Sequence, residues 1–282
     1  MTRYGDRRAV VLGGTTGLGL AVAKRLVEGG ARVLLTGRAR SEELAAAAAE
    51  LGPRARVVGT GPAGAAASPE ALAPVVAGAL GSVDFLFVHA GPADPLCATG
   101  GHGAPAAAPV RSACRTVRAL LPLVHDGGAV VFTAAALPAL ALVVPSAPDG
   151  EPVAEADGGP WSCARSLATE LADSGIRVNA VAPGLISLPG GGGAAGRVAG
   201  ERVPMRRPGT VDEVARAALF LAAEATYTTG AELTVDGGLG RAAGRGAATG
   251  PPCPRPPDDG TREDRLAECR PPLTAPPPAE PL

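Results

Sequence analysis

Aromatic residues, lysine and an excess of one charge are scarce or lacking in this sequence. Only 2% of the 282 residues are Phe, Trp or Tyr, so a binding pocket would be lined mainly by aliphatic side chains. Lysine occurs once, at Lys24, and the formal net charge is −1. A charge so close to zero provides no broad basic field for nucleic acid or an anionic membrane. We therefore predict that neither is a partner.

Long apolar runs and paired cysteines are lacking as well. No apolar stretch approaches the ~20 residues that a membrane-spanning helix needs, and the opening residues MTRYGDRRAVV predict no signal peptide. The five cysteines are scattered without a C-x-x-C pair, a pattern typical of neither a disulfide framework nor a zinc site. We expect free thiols in a reducing cytoplasm and no metal site.

Short apolar runs alternate with amphipathic helical segments up to about residue 240. The runs are continuous rather than alternating, which is typical of strands buried on both faces. They are AVVL (9–12), RVLLT (32–36), RVV (56–58), VDFLFV (83–88), AVVFT (129–133), RVNAV (177–181) and ELTV (232–235). Such alternation predicts right-handed crossovers and an α/β fold with a doubly wound parallel sheet, helices covering both faces.

A glycine-rich turn, GGTTGLG, follows the first predicted strand and opens a predicted helix. A diphosphate needs free backbone N–H groups and a helix N-terminus directed at it. Gly13 would permit the tight turn, Gly17 the approach of the backbone to the phosphates and Gly19 close helix packing. We favour dinucleotide binding over a merely structural turn. The predicted contacts are Gly13, Thr15, Thr16, Gly17, Leu18 and Gly19.

The end of the second predicted strand indicates which dinucleotide would bind. An NAD site has an acidic residue there, roughly 20 residues after the glycines, to bind the ribose 2′-hydroxyl. This chain has Gly37 instead, with Arg38 beside it, and a guanidinium suits a 2′-phosphate. We predict that NADP(H) is preferred over NAD(H). The alternative is that Arg38 is a solvated loop residue.

The composition changes near residue 240. Segments such as PPCPRPPDDG and RPPLTAPPPAEPL are typical of disordered or polyproline-like chain. We predict a dinucleotide-binding domain over residues 1–240 and a Pro/Gly-rich disordered tail over 241–282. The tail is interpreted as an unselected extension, with a docking segment as the alternative.

These residues, in this order, resemble the single-domain form of the short-chain dehydrogenase/reductase family. The glycine turn matches the family's first motif, and Val88-His89-Ala90-Gly91 keeps half of its Asn-Asn-Ala-Gly motif. Two later segments, ELADSGIRVNAVAPG (170–184) and the one at 204–238, are similar over their whole length. The resemblance covers residues 7–240. It implies a seven-stranded Rossmann-type sheet in the order 3-2-1-4-5-6-7, a small-molecule substrate, and a homodimer or homotetramer.

The resemblance also implies further cofactor contacts and a reaction. The added contacts are Ala90, Gly91, Pro183, Gly184 and Ile186. The family moves a hydride between nicotinamide C4 and a carbonyl or alcohol carbon. A Tyr gives or takes the proton, a Lys four residues later lowers the pKa of that Tyr and binds the ribose, and a Ser holds the substrate oxygen. Here those positions hold Val153, Asp157 and Ala135. With two tyrosines, Tyr4 and Tyr227, and one lysine, no Tyr-x-x-x-Lys can be written.

Three interpretations are compatible with the absence of the family's Tyr, Lys and Ser. The first is an NADPH-dependent oxidoreductase whose proton donor is displaced or supplied by the substrate. The second is a catalytically silent dinucleotide-binding scaffold or partner subunit, and the third is a nonfunctional product of drift. His89 is a weak catalytic candidate because an ordinary imidazole pKa suits proton transfer, with a packing or ribose role as the alternative. Candidates expected near the altered site are His89, His125, Ser146, Glu151, Glu155 and Asp157.

Overall fold

The computed structural model describes residues 3–37, 40–60, 68–89, 107–133, 160–187 and 203–240. All of them belong to one unit, Met1–Ala243, and Gly244–Leu282 makes a second one. The tail predicted over 241–282 lies outside the described residues. Its disorder and the domain boundary at residue 240 therefore stay predictions.

The described residues form nine strands and six α-helices, with short 3-10 turns at Leu121–Leu123 and Ala172–Ser174. The strands are β1 Arg8–Leu12, β2 Arg32–Gly37, β3 Ala55–Gly59, β4 Val83–His89, β5 Val124–Thr133, β6 Arg177–Pro183, β7 Ile186–Ser187, β8 Gly209–Thr210 and β9 Glu232–Val235. The helices are α1 Gly17–Glu28, α2 Ser41–Leu51, α3 Pro69–Leu80, α4 Ala107–Leu120, α5 Pro160–Glu170 and α6 Val211–Ala223.

Seven of these strands make one parallel sheet in the order β3-β2-β1-β4-β5-β6-β9. This confirms the predicted Rossmann-type architecture, with β9 as the seventh strand. The two intervening strands, β7 and β8, are two residues long and pair only with each other. Helices cover both faces of the sheet. None of the described helices is both long and apolar enough to span a bilayer.

The sheet separates two hydrophobic cores. Along β1, Ala9 and Val11 face the core that includes α1 and α6, while Val10 and Leu12 face the core under α3, α4 and α5. All four of these residues are buried. Because successive side chains of a strand point to opposite faces, a strand buried on both sides must be apolar at every position. This is why the strands were readable as continuous apolar runs.

The two segments that carried the family resemblance are fastened to each other beside β6. The wholly buried Asn179 amide donates to the carbonyl of Thr228 over 2.8 Å, and its oxygen accepts from the N–H of Ala231 over 3.0 Å. The Val178 N–H donates to the hydroxyl of Thr229 over 3.1 Å. These bonds hold the turn that leads into β9 against β6.

A charge cluster lies at the amino-terminal edge of the sheet. The buried carboxylate of Asp84, in β4, accepts from the Arg7 guanidinium and from the Arg8 N–H, each over 2.8 Å. His125 Nε2 lies 2.9 Å from the same carboxylate. The expectation that His125 lies near the catalytic site is therefore wrong. It is the second residue of β5, whereas the predicted site is at the other end of the strands.

A disulfide joins α4 to α5. Cys114 and Cys163 are bonded across a Cα–Cα distance of 6.4 Å, and the Arg118 guanidinium makes two 3.0 Å bonds to the Glu170 carboxylate between the same helices. The expectation of free thiols is wrong for these two cysteines, because the crossovers place side by side two helices that are distant in sequence. The cytoplasmic location was predicted from free thiols. It loses the support of these two cysteines and stays a prediction.

Candidate dinucleotide-binding site

The glycine turn after β1 has a backbone that side chains would obstruct. Gly13 and Gly14 have φ of +95° and +98°, a region that favours glycine. A Cβ on Gly19 would overlap the carbonyl oxygen of Gly13 and lie 2.6 Å from that of Gly14. Gly13 thus takes the turning role and Gly19 the packing role that the sequence predicts. Their contact with a cofactor stays a prediction.

The N-terminus of α1 has free donors. Thr16 is its N-cap in an extended conformation, but its side chain makes no capping bond, and no acidic residue stands in the first turn. The first N–H groups of any helix have no partner within the helix. By contrast, a Thr210–Glu213 capping box satisfies two such N–H groups at the start of α6, those of Thr210 and Glu213. The N–H groups of the first turn of α1, which begins at Gly17, are therefore available to bind an anion. The helix dipole also favours a negative charge at this end.

Thr15 fastens the glycine turn to the end of β2. Its side chain is 6% exposed, and a Cβ on Gly37 would lie 2.6 Å from its Cγ2 atom. The Thr36 hydroxyl accepts a 3.2 Å bond from the Gly13 N–H. A side chain at position 37, including the acid of an NAD site, would displace Thr15. The sequence reveals the glycine at 37 but not this packing reason for it. Arg38 lies outside the described residues.

His89 ends β4 directly against the glycine turn. A Cβ on Gly13 would lie 3.3 Å from both the Cβ and the carbonyl oxygen of His89. Nδ1 of the ring is buried and has no hydrogen-bond partner within the described part of the chain. Burial lowers the pKa of His89 below its ordinary value, so the imidazole is neutral at pH 7.

Pro183 and Gly184 lie where β6 ends, at the same edge of the sheet as the glycine turn. The Gly184 N–H donates to the carbonyl of Val235 over 3.0 Å, and a Cβ on Gly184 would lie 2.5 Å from that of Asp236. Ile186 is half-buried in β7, paired with Gly209. Because the carboxyl ends of parallel strands meet at one edge, the strands bring these residues and the turn to the same edge of the sheet, where ligands of such sheets bind.

Several predicted site residues lie outside the described residues: Ala90, Gly91, Ala135, Val153 and Asp157. Their roles stay predictions. The two tyrosines and the single lysine of the chain lie elsewhere. Tyr4 is buried against Gly29 before β1, and the Tyr227 side chain is fully exposed before β9. Lys24, on α1, forms an ion pair with Glu50 on α2.

Known proteins are similar to this chain in sequence and in fold. A family model described as enoyl-(acyl carrier protein) reductase matches residues 13–240. The chain belongs to the short-chain dehydrogenase/reductase family. This confirms the resemblance stated from the sequence. Among curated members of the family, the chain is similar to oxidoreductase asL5 of Sarocladium schorii, at 32% identity over 252 residues that cover 84% of this chain and 97% of that protein.

Two solved structures of short-chain dehydrogenase/reductase proteins are similar in fold and sequence. One is a short chain dehydrogenase from Burkholderia cenocepacia J2315 in complex with NADP, with a TM-score of 0.67, 28% identity, and coverage of 84% of this chain and 99% of that one. The other is a short chain oxidoreductase from Pseudomonas aeruginosa PAO1 described as containing an atypical catalytic center. Its TM-score is 0.65 at 28% identity, with coverage of 83% and 97%.

Proposed function

We propose that this chain is an oxidoreductase that binds NADP(H) and transfers a hydride between the nicotinamide and a carbonyl or alcohol carbon of a small molecule. The observation that most directly supports it is the uncapped N-terminus of α1 behind the Gly13–Gly19 turn. Backbone donors in that arrangement suit a diphosphate. Family membership and the NADP complex of a 28% identical relative are in accord with it.

Cofactor binding is tested by titrating NADPH and following its fluorescence. Gly19→Ala should weaken binding by about tenfold or more, because the added Cβ displaces the carbonyls of the turn that aims the amides at the phosphates. Gly78→Ala is the matched control, since a Cβ there meets nothing within 4 Å. Absence of NADPH and NADH binding by the unaltered protein at millimolar concentration would contradict the proposal.

The preference for NADP(H) is supported by the end of β2. Thr15 occupies the space that an acidic side chain at position 37 would need, and the next residue is Arg38, whose guanidinium suits a 2′-phosphate. Arg38→Ala should raise the dissociation constant of NADPH roughly tenfold and change that of NADH less than about twofold. If Arg38→Ala weakens the binding of NADPH and of NADH equally, Arg38 has a general role in binding rather than a contact with the 2′-phosphate.

The proton donor is the unusual part of the proposed reaction. Hydride transfer to a ketone requires a proton for its oxygen, and this sequence contains no Tyr-x-x-x-Lys. We infer a displaced donor or one carried by the substrate, such as a phenol beside the ketone. NADPH consumption with ketones and quinones, with and without a neighbouring phenol, tests this. Binding without turnover of any of them would favour the second candidate, a silent scaffold or partner subunit.

A homodimer or homotetramer is part of the proposal. Among the described residues, three large apolar residues are exposed, and all belong to the segment 203–240: Met205 at 62%, Phe220 at 47% and Tyr227 at 103%. The segment includes β9, which is the last strand of the seven-stranded sheet. Apolar groups beside a sheet edge are typical of a surface that a second copy covers.

A further inference from the structure

The disulfide between Cys114 and Cys163 lies at the rim of a hydrophobic core rather than inside it. Both cysteines are half-buried, whereas Val117 and Ala164, close to them on the same two helices, are wholly buried. A thiol must reach a disulfide before exchange can occur, and access is one of the properties that separate reactive cysteines from inert buried ones. The partial exposure therefore leaves this bond within reach of a small thiol.

Contacts other than the disulfide hold α4 and α5 in place. Val117 and Leu120 of α4 and Leu167 of α5 are at most 1% exposed in the core under α3, α4 and α5. The Arg118–Glu170 ion pair joins the same two helices. A crosslink supplies only part of a domain's stability, mainly by restricting the unfolded chain. Opening the bond should therefore leave the helices docked and the domain folded.

The start of α5 depends on the bond more than its end does. Cys163 is the fourth residue of α5, and Glu170 is the last. The disulfide thus holds the first turn, whereas the ion pair with Arg118 holds the last turn. Within the first turn, Trp161 packs against the core only as a half-buried neighbour. Helix ends with few buried contacts open at low cost in free energy, so loss of the bond should release this turn first.

The first turn of α5 lies toward the edge of the sheet that carries the candidate site. α5 leads into β6, which begins at Arg177 and ends at Pro183. A helix that returns the chain to the start of a parallel strand begins at the carboxyl edge of the sheet. The glycine turn opens α1, which packs on the opposite face from α5. Release of α5 should therefore leave the glycine turn unchanged.

We propose that Cys114 and Cys163 form a redox switch: small thiols open the bond in the folded protein, and opening releases the first turn of α5. A thiolate of a small dithiol attacks one sulfur and forms a mixed disulfide, and the other cysteine leaves as a thiolate. The second thiol of the reductant then displaces the first cysteine, so two electrons pass to the pair and the reductant closes to a disulfide. A small disulfide reverses the reaction. The switch goes beyond the proposed function and does not depend on it.

Reduction of the folded protein tests the first half of the inference. Dithiothreitol is added in native buffer, free thiols are alkylated at intervals, and peptide mass mapping distinguishes Cys114 and Cys163 from the other cysteines. Both should become alkylated while the far-ultraviolet circular dichroism of the oxidised protein is retained. If the bond is reduced only in urea, or only as fast as the whole domain unfolds, it is a structural crosslink and the inference is overturned.

Hydrogen exchange tests the second half. Each N–H of an α-helix bonds to the carbonyl four residues earlier, so the N–H groups of Ala164–Ser166 report on the carbonyls of the first turn. They should exchange about tenfold faster or more after reduction, whereas those of Ala168–Glu170 should change by less than about twofold. The fluorescence of Trp161, the only tryptophan, should change as well. No change at Ala164–Ser166, or an equal change along the whole helix, would overturn the inference.

The Cys114→Ser/Cys163→Ser double variant is the control. Its exchange at Ala164–Ser166 should equal that of the reduced protein, with or without dithiothreitol. The NADPH dissociation constant should agree within about twofold between the oxidised and reduced proteins, because distant sites without shared partners act independently. A larger loss on reduction would overturn the confinement of the switch to α5. If neither form binds NADPH or NADH, the proposed function fails, whereas the exchange data still decide the switch.

Discussion

Arg177, the first residue of β6, closes the end of α6. Its guanidinium donates to the carbonyls of Leu221, Ala222 and Ala225 over 2.6, 2.5 and 3.0 Å. The last carbonyls of a helix have no partner within the helix, and a cation there also suits the helix dipole. One side chain thereby satisfies several backbone groups and ties the helix to the sheet.

Replacing Arg177 by Met should therefore lower the free energy of unfolding by about 2–3 kcal/mol, because charge-assisted bonds are lost and carbonyls are left unpaired. Urea unfolding followed by circular dichroism measures this. Arg165→Met, at an exposed position on α5, is the control and should change the free energy by less than about 0.5 kcal/mol. Equal effects of the two substitutions would contradict the capping role.

The Asp84 cluster predicts how stability depends on pH. Burial alone would raise the pKa of Asp84, but bonds from Arg7, His125 and the Arg8 backbone outweigh it and lower that pKa to about 2. The bond to Asp84 raises the pKa of His125. A lowered carboxyl pKa gives stability that is lost as the pH falls from about 4 to 2, and a raised imidazole pKa gives stability that is lost as the pH rises above about 6.5.

His125→Gln should therefore flatten the change in unfolding free energy between pH 6 and pH 8.5, since an amide can donate to Asp84 without titrating. The change in the unaltered protein should be under about 1 kcal/mol, because the half-exposed His125 is screened by solvent. Urea unfolding at several pH values measures it. If the unfolding free energy of His125→Gln changes with pH as steeply as that of the unaltered protein, another group causes the pH dependence.

At the scale of elements, a disulfide and an ion pair link α4 to α5. The Cys114–Cys163 bond joins positions 49 residues apart, and the Arg118–Glu170 ion pair lies between the same helices. A crosslink over such a loop stabilises mainly by restricting the unfolded chain.

Reduction of that bond should lower the free energy of unfolding by about 2–4 kcal/mol, which corresponds to about 5–15 °C in unfolding temperature for a domain of this size. Thermal unfolding with and without dithiothreitol measures it. The Cys114→Ser/Cys163→Ser double variant should unfold at the lower temperature and should not respond to the reductant. A response in the double variant would assign the effect to Cys97, Cys253 or Cys269.

Elements differ in how far the sequence predicts them. The sheet strands are predictable because each must be apolar on both faces, and α6 is predictable from its apolar stripe. Its start could also have been read from Thr210 and Glu213, which form a capping box. The strands β7 and β8 and the disulfide were not predictable, since a two-residue strand has no period and cysteines in different crossovers show no characteristic spacing.

The same contrast holds for the candidate site. Gly13 and Gly19 were predictable because a backbone turn imposes a local rule on residue type. The packing of Thr15 against Gly37 and the unpartnered Nδ1 of His89 depend on which strands become neighbours, and spacing along the chain does not encode this. The glycine turn of the candidate site was therefore predictable from the sequence, whereas the packing around it became visible only in the structure.

For the whole molecule, the exposed apolar residues of the segment 203–240 predict self-association. Light scattering after size exclusion should give twice or four times the chain mass of 27.7 kDa. Phe220→Glu should lower that mass, because a buried unpaired carboxylate is unfavourable at an interface. Arg56→Glu, an exposed position on β3, should leave it unchanged. A monomeric unaltered protein would contradict the prediction.

The bond between Cys114 and Cys163 also changes the covalent topology of the chain. It turns everything between those two residues, β5 included, into a closed ring. A single protease cut anywhere within that ring opens it but releases nothing. The nicked protein would still run as one full-length band in a denaturing gel, and only a reducing agent would reveal the two pieces.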